Sequence, residues 1–133
     1  MAKVTGIGGV FFKARDPNSL RHWYRTHLGF DVQDGGGAQF LFNRRDRSGV
    51  GYAVWSPFEE TTKYFEPSDK AFMINLRVDD LEAVLKDLRA RGVHVLDRRE
   101  DGPNGKFGYV VDPEGTLLEL WEQSDDDPYV TAE

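Results

Sequence analysis

The stretch Phe72-Met73-Ile74-Asn75-Leu76-Arg77-Val78-Asp79-Asp80-Leu81 reads as a strand that runs into a capped helix. Residues 72–78 are rich in β-formers and alternate about the chain axis. Asp80 suits an N-cap, and Leu81, Val84, Leu85 and Leu88 then recur at helical spacing on one face. Gly92 ends that helix. Strands are expected at 93–96, 107–111 and 116–122, with turns at Gly102-Pro103-Asn104-Gly105 and Asp112-Pro113-Glu114-Gly115.

The N-terminal half repeats the pattern. A strand over 4–12 leads to Asp16-Pro17, an N-cap followed by proline at the first helical position. Leu20, Trp23, Tyr24 and Leu28 form an apolar helical stripe, and Gly29 closes it. Short strands are expected at 30–32, 38–43 and 50–55. Asp16 pairs with Asp80 at an offset of 64, Gly29 with Gly92 and Val32 with Val95 at 63, and Trp55 with Trp121 at 66. The sequence is therefore read as two β-α-β-β-β modules, the first over about 4–56 and the second over about 71–123. A linker at 57–70 is packed on the surface by Phe58, Tyr64 and Phe65, and a mobile acidic tail covers 124–133. Neither half alone buries a stable core, so the modules share one domain.

Composition narrows the function. The 133 residues carry 17 Lys and Arg against 23 Asp and Glu, a net charge of −6, which argues against nucleic acid or an anionic membrane as a partner. Cysteine is absent, so thiol nucleophiles, thiolate metal sites and disulfides are excluded. No apolar run approaches the ~20 residues that cross a bilayer. A cytoplasmic protein is the expectation. Strand alternation separates apolar sets, suited to packing under helices, from mixed aromatic and polar sets. The mixed sets are Phe11 and Lys13; Met73, Asn75 and Arg77; Trp55; and Glu119 and Trp121. Such mixed linings characterise small-molecule sites.

The segments Gly9-Val10-Phe11-Phe12-Lys13-Ala14-Arg15-Asp16, Trp23-Tyr24-Arg25-Thr26-His27-Leu28-Gly29-Phe30, Asn75 to Leu81 and Asp112 to Trp121 occur in that order at repeat spacing. With them the chain resembles the vicinal oxygen chelate superfamily of glyoxalase, bleomycin-resistance and extradiol dioxygenase proteins. The resemblance implies an α+β fold in which two tandem βαβββ modules form a cupped mixed sheet with helices on the convex face. It also implies a homodimer. Metal-dependent members place four ligands in the cup. Here those positions fall on Gly9, Ala53, Met73 and Glu119, of which only Glu119 has a suitable side chain. The resemblance thus implies no metal and no cofactor. His22, His27 and His94 show no ligand spacing.

Two functions follow, beside a blander third in which the fold takes no ligand and acts through protein contacts. The first is a metal-free protein that binds and sequesters a small, planar or aromatic molecule, as in the bleomycin-resistance branch. Its candidate ligand-binding residues are Phe11, Lys13, Phe40, Phe42, Trp55, Met73, Asn75, Arg77, Phe107, Tyr109 and Trp121. The second is a glyoxalase-like lyase or isomerase acting on a small carbonyl compound, with Glu119 as its candidate catalytic base. Lys13 or Arg77 is expected to pair with Glu119 in the first case.

Overall fold

The structure, a computed structural model, describes residues 2–131. Its elements are β1 (Val4–Ala14), α1 (Pro17–Leu28), β2 (Ala38–Asn43), β3 (Val50–Glu59), β4 (Phe72–Val78), α2 (Leu81–Ala90), β5 (His94–Gly102), β6 (Gly105–Val111), β7 (Leu117–Gln123) and α3 (Pro128–Thr131). The strands form one sheet in the order β2-β3-β1-β4-β7-β6-β5. At its centre β1 and β4 pair antiparallel. On either side the same arrangement recurs, with β3 parallel to β1 and β7 parallel to β4. The duplicated α+β architecture expected from the repeat is present.

Both helices start as their caps dictate. The Asp16 carboxylate accepts from Ser19 N at 3.1 Å, and Asp80 accepts from Ala83 N at 3.1 Å. Gly29 closes α1 in the left-handed region, φ 69°. One face of α2 then buries Leu81, Val84 and Leu85 against Val78, Val110 and Leu120. Under α1 a second cluster joins Tyr24, Phe30 and Phe12 to Val32, Ala38 and Trp55. A third cluster, Phe11, Phe65, Met73, Tyr109 and Leu117, fills the opposite face of the sheet.

Four details differ from the sequence reading. Residues 30–32 form no strand, so the first module is one strand short. The Val32 carbonyl is taken by the Arg25 guanidinium at 2.5 and 3.0 Å, and the Arg21 guanidinium takes Gly36 O at 2.6 Å. Side chains of α1 thereby satisfy the backbone that a strand neighbour would have satisfied. Within the expected linker, β3 continues to Glu59, and Phe65 is a core residue rather than a surface one. The acidic tail is held rather than free through residue 130. Its Asp127 is buried, accepts from Tyr52 Oη at 2.7 Å and from Asn104 Nδ2 at 2.8 Å, and Arg47 pairs with Asp125 at 2.9 Å.

The fourth correction concerns β3. Trp55 was expected on the cup side and instead packs under α1, 4.4 Å from Tyr24 and 5.5 Å from Phe12 between ring centroids. Ala53 shares that outer face. The register explains the error. Glu119 lies beside Asn75 as Ser56 lies beside Phe11, so β7 matches β3 at an offset of 63 (119 − 56) rather than 66. Aligning the two tryptophans slips the strand by an odd number of residues, which exchanges its faces. The outer packing of Trp55 makes it a stability residue. Trp55→Ala is expected to cost about 3–5 kcal/mol in a urea denaturation experiment.

Candidate functional site

The concave face of the sheet encloses a half-open cavity of about 560 Å³. Its floor is Gly8 and Asn75. Phe11, Tyr52, Val54, Phe107 and Trp121 wall it, Glu119 lies at its base, and Gln33, Gln39, Glu100, Asp101, Asn104 and Tyr129 ring it. Trp121 and Phe107 stack with planes 11° apart at 5.9 Å, and Tyr52 meets Trp121 edge-on at 5.0 Å. The Trp121 indole donates to Asn104 O at 3.0 Å, which fixes the ring.

Glu119 is buried, and donor groups of neutral side chains surround its carboxylate. Asn75 Nδ2 donates to Oε1 at 2.7 Å. Tyr64 Oη donates to Oε2 at 2.5 Å, and Tyr109 Oη lies 2.8 Å from the same oxygen. The two phenols are 2.9 Å apart, and Tyr109 also bonds to Glu100. Arg98 stacks on both rings, 4.4 Å from Tyr64 and 3.9 Å from Tyr109, and pairs with Glu100 at 3.5 Å. Burial first, and then the charge of Glu119, pushes both phenols well above the ordinary tyrosine range, so they act as donors. Burial and the Asp127 carboxylate do the same to Tyr52.

The expected residues divide into three groups. Phe11, Asn75, Phe107, Glu119 and Trp121 meet at the cavity. Met73 and Tyr109 lie buried beside it, the first in the core and the second bonded to Glu119. The others lie elsewhere. Trp55 is under α1, and Phe40 packs 5.2 Å from Phe30 on that same outer side. Phe42 sits over Gly51 with the Arg77 guanidinium 5.2 Å from its ring, and Lys13 points toward Phe65 at 5.9 Å. Neither Lys13 nor Arg77 pairs with Glu119. Arg77 is buried behind Trp121, 4.7 Å from its ring, and donates to Tyr52 O at 3.2 Å and Gln123 Oε1 at 2.5 Å. Sequence reasoning missed Tyr52 and Val54, whose face was exchanged with that of Trp55. It also missed Tyr64, placed in the linker, and the polar rim from Gln33 to Tyr129. Asn104 lies in the turn at 102–105 that the sequence shows, whereas Tyr52, Val54 and Tyr64 carry no local signal.

A divalent metal finds no fitting donor set here. Gly9 has no side chain, and a Cβ there would stand 2.6 Å from Val54 O. Ala53 lies on the outer face, and the register makes Ser56, a lone hydroxyl, the counterpart of Glu119; Met73 is packed in the core, and Glu119 is held by Asn75, Tyr64 and Tyr109. Among the described residues no three His, Cys, Asp or Glu converge as metal ligands. No step is therefore assigned to a metal.

The three tyrosines yield a measurable expectation. Groups whose folded-state pKa is raised stabilise the fold fully below their unfolded value of 10.0 and less as pH climbs above it. Stability should fall steeply above pH 10, and an ultraviolet titration should show Tyr52, Tyr64 and Tyr109 ionising only as the protein unfolds. An absorbance change complete near pH 10 in folded protein would contradict this arrangement.

Residues 9–121 match the model of the glyoxalase-like domain. No curated protein matches the sequence. Among solved structures, Streptomyces coelicolor methylmalonyl-CoA epimerase in complex with 2-nitronate-propionyl-CoA is 22% identical, with 92% of this chain and 99% of that chain covered and a TM-score of 0.65. Methylmalonyl-CoA epimerase from Mycobacterium tuberculosis is 24% identical over 91% of this chain and 89% of that one, TM-score 0.57. A Legionella pneumophila structure described as an NAD-dependent benzaldehyde dehydrogenase is 13% identical over 87% and 98%, also at 0.57. At these identities the likeness is one of fold, which unrelated activities share. The domain match over most of the chain, together with the duplicated cup, places the chain in the glyoxalase-like domain family of the vicinal oxygen chelate superfamily.

Proposed function

We propose that this protein binds a small planar or aromatic molecule without a metal. One observation carries the reading: an aromatic-walled cavity of about 560 Å³ closes over a single buried carboxylate whose oxygens are already held by Tyr64, Tyr109 and Asn75. The rings of Phe11, Phe107 and Trp121 supply apolar burial and stacking for a flat ligand. Glu119 is already held in place by two phenols and an amide, as a positioned polar anchor would be, which favours binding over the lyase or isomerase reading.

Calorimetric titration with a panel of two- and three-ring aromatic compounds is expected to find ligands. Trp121→Leu should weaken the best of them about tenfold, or about 1.4 kcal/mol. Trp55→Phe, altered on the outer face, should leave affinity unchanged. A panel with no binder, or a ligand indifferent to Trp121→Leu, would remove the proposal.

The reading extends to assembly as a homodimer. The outer face of β1 and β4 lies between the two helices, which cover its ends at Phe12 and Val78 but not its middle. It exposes Ile7 (58%), Val10 (46%) and Phe72 (42%), with Val10 beside Ile74 and Phe12 beside Phe72 across the strands. A contiguous apolar strip of this kind is a surface for a second copy. Sedimentation is expected to give a dimer, and Ile7→Glu a monomer that keeps the fold. A monomeric wild type at every concentration would refute it.

A further inference from the structure

The cavity floor holds a polar atom that the protein leaves unanswered. Asn75 is 2% exposed, and among the described residues its Oδ1 is the buried side-chain atom with no hydrogen-bond partner. The amide orientation is fixed chemically, because Nδ2 must face the Glu119 carboxylate 2.7 Å away and an oxygen there would be repelled. Oδ1 therefore occupies the space above Gly8, where a Cβ would stand only 2.0 Å from it. Both residues line the cavity. A buried acceptor without a donor has lost its water and gained nothing in exchange, a deficit that a ligand donor would make good.

Glu119 stands beside it with a related deficit. Among the described residues no Lys, Arg or His forms an ion pair with it, and its hydrogen-bond partners are neutral side chains. Its Oε1 has one partner, Asn75, and a carboxylate oxygen accepts two bonds. The cavity lining contains Glu100, Asp101 and Glu119 and no basic side chain. The nearby guanidiniums are engaged elsewhere. Arg98 pairs with Glu100 at 3.5 Å and Arg99 with Glu82 at 2.9 Å and Asp101 at 3.7 Å. Arg77 stands behind the Trp121 ring.

The geometry points to a ligand whose flat body lies against Phe11, Phe107 and Trp121 and whose head is a cationic nitrogen group carrying N–H donors, an amidine or protonated amine, shared between Asn75 Oδ1 and Glu119 Oε1. This rests on the binding function proposed above and adds the chemical class of the ligand. One N–H answers the orphaned amide oxygen, and the positive charge answers the carboxylate that lacks a counter-ion.

The test uses one ring system with three heads: 2-naphthamidine, 2-naphthamide and 2-naphthoate, each titrated into the wild-type protein by calorimetry at constant salt. The amidine is expected to bind at least tenfold more tightly than the carboxylate, with the amide between them. Glu119→Gln should erase the advantage of amidine over amide. The wild-type series decides the matter even if that variant does not fold. Naphthoate binding as tightly as naphthamidine would overturn the head-group assignment and leave the binding function standing. So would a failure of all three while other planar aromatics bind. If neither these compounds nor any of the aromatic panel binds, both readings fall together.

Discussion

The centre of the sheet depends on what β1 does not carry. Gly8 and Gly9 present bare backbone to both neighbours. A methyl group at Gly8 would meet Asn75 Oδ1 at 2.0 Å and Arg77 Cγ at 3.0 Å, and one at Gly9 would meet Val54 O at 2.6 Å. Because that space is open, two side chains of β4 lie across β1. Arg77 reaches the Tyr52 carbonyl on β3, and Asn75 settles over the cavity floor. The two modules are thus joined by side chains passing over a strand as well as by the β1–β4 ladder. Any larger residue would overpack this crossing and close the cavity from below.

From that crossing the polar interior follows. Asn75 orients Glu119, Glu119 gathers the phenols of Tyr64 and Tyr109, and Tyr64 draws the connection between the modules down onto the cup. A parallel set of bonds, from Tyr52 to Asp127 to Asn104, draws in the C-terminal segment on the other side. Both segments read as surface in the sequence because their packing is earned through single hydroxyl and carboxylate groups over long sequence separations. No local periodicity encodes such contacts.

What the sequence does encode is the framework. The caps at Asp16 and Asp80, the apolar stripe of α2 and the terminating Gly29 are local chemistry, and they appear in the structure as the residues dictate. The duplication was legible for the same reason. The faces of β3 were not. Tyr52, Val54 and Trp55 are all apolar or aromatic, so alternation says which residues share a face but not which face is inside. Only Tyr24 on α1 and Phe30 just beyond its end settle that Trp55 turns outward. Residues 30–32 form no strand, and the Arg25 guanidinium on α1, a partner that no β-propensity scale counts, takes the Val32 carbonyl. The candidate site was half legible: the second module's Asn75, Phe107, Glu119 and Trp121 lie on strands with a clear inner face, whereas the rim comes from loops.

The register that exposed the Trp55 error also shows how unequal the two repeats have become. Where β4 and β7 set an amide beside a carboxylate, Asn75 next to Glu119, β1 and β3 set Phe11 next to Ser56. A cup made of two matching halves would admit a guest either way round. This one carries the amide and carboxylate pair in its second half only, so the two halves of the cup are not equivalent. The duplication survives in the backbone, while the chemistry that faces the cavity belongs to each repeat separately.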